Sequence, residues 1–226
     1  QGPASPMTTG FGDIVRSRRS SRMFLPDKPV PRNLLDEALE LAIRAPSNSN
    51  TQPWHVYFVT GARRARLVDA LLTAVDTTPP EVGSAGLPPR FAHLRRESGA
   101  LVYGAMGIER SDAAGRWAAQ RRNWEFFRAP VAGVVCMHRD FGTVDALGVG
   151  MFLQTLMLAL TERELGSCVQ VSIGFYPEVL RAQLDIPEDL TILCGISIGY
   201  PDPAFPANHL DTPRNPIGDN VVFLDD

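Results

Sequence analysis

Two stretches of this chain hold side chains whose type and density suit ligand binding better than folding. Residues 45–54 read APSNSNTQPW. Ser47, Asn48, Ser49, Asn50, Thr51 and Gln52 follow one another between Pro46 and Pro53. A helix-to-strand connection normally needs only about two to six residues and a glycine, so this run of hydrogen-bonding groups exceeds what a plain junction requires. A polar turn that caps the end of a helix is the plain alternative. The second stretch, residues 16–22, reads RSRRSSR. Arg16, Arg18, Arg19 and Arg22 are too dense for a helix that must pack, so some of them face solvent or an anion such as phosphate.

Three further patterns resemble catalytic motifs, and their context excludes each. Gly195-Ile196-Ser197-Ile198-Gly199 has the form of a serine-hydrolase elbow. The elbow needs a helix straight after its strand, and Tyr200-Pro201-Asp202-Pro203 forbids one; His209 also precedes Asp211, the reverse of the required order. His138-Arg139-Asp140-Phe141-Gly142 contains both HRD and DFG, but overlapped on one aspartate where a kinase needs two. Gly148 to Gly150 lacks the third glycine of a dinucleotide fingerprint and lies in a helical pattern.

The elements that must position the two stretches follow from periodicity. A short helix opens near Asp13 and gives way to a turn through Ser20 and Ser21. Leu35, Ala38, Leu39 and Ala42 recur at helical spacing after Pro31, and Pro46 ends that pattern. Residues 54–60, WHVYFVT, are aromatic and β-branched and predict a strand; 63–75 predict a helix. Residues 76–89 hold too many prolines for regular structure, 90–109 are mixed, and 115–127 predict a helix rich in aromatics that belongs to the core or to a cover over substrate. A buried strand is expected at 131–137, followed by a long helix capped by Thr143 or Asp145 and stopped at Gly166. Short strands at 169–173 and 190–199 flank a helix at 176–184. Residues 220–224, NVVFL, predict a lone strand at the end of a proline-rich tail.

The 226 residues suffice for one domain with embellishments, and the net charge of −3 provides no global attraction for nucleic acid or an anionic membrane. Cys136, Cys168 and Cys194 stand far apart without a CxxC pair, which predicts buried thiols, a cytoplasmic setting and no metal site. The apolar run 146–160 would rise only about 22 Å as a helix, short of a bilayer, so it predicts a core helix. Residues 1–6, QGPASP, resemble the remnant of a cleaved tag, with the natural start near Met7.

Taken together, RRSSRMF, APSNSNTQPW, the block RNWEFF.AP, the segment from LGSCVQ to GISIGYPDP and the late TPRNP resemble the FMN-dependent nitroreductase family, in the nitrobenzoate-reductase-like subgroup. The resemblance spans residues 13–223 and is weakest over 76–130. It implies an α+β fold with a central, mostly antiparallel sheet flanked by helices, and a homodimer with a domain-swapped C-terminal arm and two FMN sites at the interface. In that arrangement residues 7–226 form one FMN-binding domain, with 76–130 as a variable substrate-covering region and 201–226 as the arm.

The resemblance also implies the site. Arg18, Arg19, Ser20 and Arg22 match the family's phosphate and pyrimidine-edge motif, and Arg214 matches its C-terminal phosphate contact. Pro46, Ser47, Asn48, Asn50 and Gln52 would reach the partner's flavin, whose ring edge needs a donor or acceptor at each heteroatom. Ile173 and Gly174 stand where the family offers a backbone N–H to flavin N5, although this chain has Val171 and Ser172 where many members have a proline. No side chain is then the catalyst. The implied activity is NADH- or NADPH-dependent, ping-pong reduction of nitroaromatics, quinones or related acceptors. Alternatives are a flavin-trafficking protein without turnover, a reductive dehalogenase, or a flavin-consuming ligand synthase. The implied partners are a second copy and a small aromatic acceptor.

Overall fold

Residues 10–80 and 87–225 are described by a computed structural model of the chain. The boundary expected near Met7 and part of the proline-rich stretch, residues 81–86, lie outside them.

Strand β2 (Val131–His138) is buried from Val131 to Met137. A strand without exposed backbone needs a hydrogen-bonded neighbour on each edge and a cover on each face. β1 (His55–Val59) pairs along one edge and β4 (Leu190–Gly199) along the other, and β3 (Gly166–Gln170) pairs with the far side of β4. The order is β1-β2-β4-β3 and every pairing is antiparallel, as the α+β reading expects.

Side chains along β2 alternate between two cores, because successive residues of a strand point to opposite faces. Val131, Val135 and Met137 join a cluster with Leu35, Ala38 and Ala42 of α2 (Arg32–Ala42) and with Phe152, Leu156 and Leu160 of α6 (Thr143–Glu162). Ala132, Val134 and Cys136 join Leu67, Leu71 and Val75 of α3 (Gly61–Thr77) and Leu180 and Leu184 of α7 (Pro177–Leu184). Helices therefore cover both faces of an antiparallel sheet, which explains why β2 and β4 read as nearly unbroken apolar runs. The N–H of Gly142 donates to the Asp145 carboxylate at 3.0 Å, so Asp145 is the residue that caps α6. All three cysteines are buried and unpaired; burial pushes the thiol of Cys136 up to about 11 and that of Cys194 up to about 12.

Four expectations are corrected. Residues 115–127 are not one helix: α5 (Ala113–Arg121) stops, and Arg122–Arg128 form a tight 3-10 segment in which Phe126, Phe127 and Arg128 have φ of 51°, 51° and 62°. This left-handed turn sends two neighbouring phenylalanines into different clusters, Phe126 beside α3 and Phe127 beside Phe24, which a continuing helix could not do. Residues 90–109 contain a complete helix, α4 (Ala92–Ala105). β3 begins at Gly166 instead of 169 and ends at Gln170; only a glycine fits at its start, since a Cβ on Gly166 would lie 2.4 Å from Pro201. Residues 220–224 form no strand, because no sheet edge of the protomer meets them; Val222, Phe223 and Leu224 are 76–93% exposed.

After β3 the chain turns through Val171–Phe175, where Ile173 packs directly against Gly195 of β4. A Cβ on Gly195 would fall 2.6–2.9 Å from three atoms of Ile173, one of them its own Cβ. Gly195→Ala must therefore move backbone as well as side chain. The variant is expected to lose about 1–3 kcal/mol, read as a lower urea midpoint; an unchanged midpoint would show that this turn yields freely.

Candidate functional site

The arginine-rich stretch follows α1 (Phe11–Ser17) and runs beside the start of β3. Ser20 bridges to Ser167, the Ser21 N–H donates to the Ser167 carbonyl at 3.0 Å, and Leu25 N–H to the Tyr200 carbonyl at 2.9 Å. Buried Asn208 fixes the middle: its Oδ1 accepts from the Arg22 N–H at 2.7 Å, and its Nδ2 donates to the carbonyls of Met23 and Asp202 at 2.8 and 3.0 Å. A residue 186 positions away thus holds the strip in register.

This placement gathers Arg18, Arg19, Ser20, Arg22 and Arg214. Arg18 is half-buried, and its pKa is lowered first by that burial and then by the adjacent charges of Arg214 and Arg19. Among the described residues neither Arg18 nor Arg214 pairs with a carboxylate; Asp211 lies 3.8 Å from Arg19 and is itself exposed. Burial raises the pKa of the Cys168 thiol, and the nearby charges of Arg22 and Arg18 oppose that rise. Like charges held together without counter-ions form an anion site, and guanidinium forks suit the oxygens of a phosphate. The sequence motif for the FMN phosphate therefore fits what stands there.

Arg22 joins this cluster to a cavity of about 1270 Å³. One wall is β3 and the turn after it, with Cys168, Gln170, Val171 and Ser172; the other is α4 and α5, with Tyr103 and Trp117. The first wall is held from behind. Asn123 is the hub: its backbone carbonyl accepts from Gln170 Nε2 at 2.9 Å, and its Oδ1 accepts from Gln170 Nε2 at 3.3 Å and from the Ser172 hydroxyl at 3.1 Å. Ser197 donates to the other end of the Gln170 amide, and the Trp124 indole N–H donates to the Ser172 carbonyl at 3.1 Å. Sequence reasoning missed Asn123 and Gln170. The RNWEFF block that contains Asn123 was visible, but its aromatics were read and its amide was not.

The other predicted residues lie elsewhere. Asn48–Asn50 form a single 3-10 turn with Ser49, Asn50 and Gln52 in the left-handed region, tied by Ser47 Oγ, which accepts from the Gln52 N–H at 2.9 Å. Pro46, Asn48, Asn50 and Gln52 are exposed, and none of Pro46, Ser47, Asn48, Asn50 or Gln52 lines the cavity or bonds to the arginine cluster among the described residues. The loop instead sits on α6, where Gly148 has no side chain to hold it off; a Cβ there would come within 3.1 Å of Ser47. Ile173 is buried in the core with its side chain turned away from the cavity, whose nearest members on that turn are Val171, Ser172 and Phe175. Gly174 follows it in the same turn.

The sequence model of the Nitroreductase family matches residues 15–200. A 4-nitrobenzoate reductase from Nocardioides sp. strain LMS-CY is 39% identical over 230 residues, covering 98% of this chain and 92% of that protein. Among solved structures, the FMN- and NADPH-dependent nitroreductase NfnB from Sphigopyxis sp. strain HMH superposes with a TM-score of 0.90 at 32% identity, covering 96% and 99% of the two chains. The FMN-dependent NfnB from Mycobacterium smegmatis, solved with NADPH, gives 0.87 at 33%, covering 95% and 97%.

The crowding of Arg18, Arg19 and Arg214 has a measurable outcome. Inorganic phosphate at constant ionic strength should raise the melting temperature of the wild type, since a ligand that binds only the folded state stabilises it. Arg18→Ala should flatten that response; equal responses in the two proteins would remove Arg18 from the anion site.

Proposed function

The chain belongs to the nitroreductase family, and from that premise we propose that it is an FMN-dependent NAD(P)H oxidoreductase that reduces nitroaromatics and related electron-poor acceptors. The observation that carries this reading is the cluster of Arg18, Arg19 and Arg214, in which Arg18 and Arg214 pair with no carboxylate among the described residues, joined through Arg22 to an aromatic-lined cavity. Arg18, Arg19, Ser20 and Arg214 would hold the FMN phosphate with charge-assisted hydrogen bonds. Arg22 would hold the pyrimidine edge of the ring, where a fixed positive charge favours the reduced form. FMN supplies, when bound, the two-electron chemistry, taking hydride from NADH or NADPH and handing it to an acceptor in the same pocket.

The chain's own contribution is placement and exclusion of water. Asn123, Gln170, Ser172 and Ser197 hold the turn 171–175 from behind, and in this reading the backbone N–H groups of Ile173 and Gly174 would serve as donors to the flavin. No side-chain acid or base is assigned. Tyr103, Trp117, Phe127 and Phe175 give an aryl ligand flat apolar surface against which to stack.

The site is completed by a second copy of the chain. Val144 and Leu147 of α6 are 58% and 63% exposed, and Phe11 of α1, Ile43 after α2 and the apolar tail are exposed as well. A patch of this kind asks for a partner, and the polar loop 46–52 lies beside it on α6. In a homodimer Pro46, Ser47, Asn48, Asn50 and Gln52 would serve the partner's flavin, with residues 201–226 as the embracing arm and 76–130 covering substrate in one domain from residue 7 to 226. Three buried thiols suit the reducing cytoplasm.

Purified protein mixed with FMN should shift the flavin spectrum, and anaerobic NADPH or NADH should then bleach it; an unshifted spectrum would sink the cofactor assignment, and a shifted band that resists both nucleotides would leave binding without turnover. Deleting residues 217–226 should weaken the dimer in analytical ultracentrifugation, whereas an unchanged sedimentation coefficient across a dilution series would refute the embracing arm.

A further inference from the structure

The cavity is strongly one-signed. Arg22, Arg95, Arg96, Arg110, Arg116 and Arg122 line it, against one carboxylate among the described residues, that of Glu109. Arg95, Arg96 and Arg110 are exposed at the mouth, and solvent accounts for them. Arg116 is engaged, donating to the Arg110 carbonyl at 3.2 Å and lying 5.4 Å over the Tyr103 ring.

Arg122 is different. It is half-buried, and the one hydrogen-bond acceptor it meets among the described residues is the thioether of Met106, at 3.4 Å from Nη2. A guanidinium carries five N–H donors and a thioether is a weak acceptor, so the described residues leave most of these donors to solvent or a ligand. The Phe205 ring lies 5.7 Å from the guanidinium carbon and offers no acceptor oxygen. Glu125 acts on it electrostatically, but that carboxylate is shared by Arg121 and Arg128 at 3.8 and 3.7 Å. Burial and then Arg128 lower the pKa of Arg122, and Glu125 only partly offsets them. The next residue is Asn123, the hub that fixes Gln170 and Ser172. Arg122 therefore stands between Met106, just past α4, and Asn123, the hub of the opposite wall.

We propose that Arg122 is a specificity-determining residue that docks an oxyanion group, carboxylate or phosphate, carried by the aromatic ligand in this cavity. The proposal rests on the oxidoreductase reading for its substrate class, a nitroarene bearing an acid group or a nucleotide bearing an extra phosphate. It rests on the cavity alone for the site. A bidentate guanidinium selects planar, two-oxygen acceptors, so a carboxylated arene held this way has one orientation where a neutral arene has several.

Trp117 lines the cavity, so quenching of tryptophan emission by nitroarenes reads binding directly, without turnover. With FMN-saturated protein, 4-nitrobenzoate should bind about 10- to 100-fold more tightly than nitrobenzene, the loss expected for charge-assisted hydrogen bonds. Arg122→Gln should erase that ratio and Arg122→Lys restore part of it, with KM for the two acceptors following the same pattern. A wild type that does not distinguish the two, or an Arg122→Gln protein that weakens both equally, overturns the carboxylate source. The second arm compares NADPH with NADH in stopped-flow binding. Loss of a preference for NADPH in Arg122→Gln, with the acceptor ratio intact, upholds the oxyanion site and assigns it to the nucleotide phosphate; no change in either arm overturns it. Failure of the redox reading looks different, since flavin would then resist bleaching while the Arg122-dependent binding ratio persisted.

Discussion

Positive charge held without counter-charge is the constraint on which the site depends. Arg18 and Arg19 are held near Arg214 because Asn208 and the pairing of Ser20 and Ser21 with Ser167 fix the strip that carries them against β3. The backbone bonds that position these groups are all satisfied, so the repulsion is concentrated in side chains that an anion relieves. The same strip carries Arg22 to the cavity edge, so one set of hydrogen bonds places both the charge cluster and the residue at the mouth of the pocket.

Much of this was legible in the residues. The spacing of Leu35, Ala38 and Ala42, the apolar run of α6 and the β-branched segments of β2 and β4 each satisfy a local rule that agrees with the final packing. The arginine stretch and Arg214 carried an anion reading before any fold was known, and the structure brings them together across most of the chain. What escaped was set by contacts distant in sequence. Phe126 and Phe127 read as helical because their burial in two separate clusters is a tertiary fact, and that burial overrides the helical preference of the segment. Asn123 is one amide among many until Gln170 and Ser172 arrive beside it from the far side of β2.

The loop at 46–52 shows the opposite case, where composition pointed to function and the protomer supplies no partner for it. Its backbone is shaped by three left-handed residues and by a contact with Gly148, while most of its side chains face outward. A loop so shaped with so little packing of its own is held in place by its backbone instead of by a core. Apolar Val144 and Leu147 are exposed on the same helix that the loop rests on.

The two walls of the cavity are built from separable parts of the chain. One wall is backbone and amides locked to β3, β4 and Asn123, where a change disturbs the sheet. The other is formed by α4, most of whose side chains are exposed and none of which belongs to a core cluster, and by α5, where Ala119 is buried and Trp117 packs on a core. Exposed residues on α4 can therefore change one at a time at little cost to either core, while a change on the β3 wall disturbs the sheet. Innovation and conservation are assigned to opposite sides of a single space.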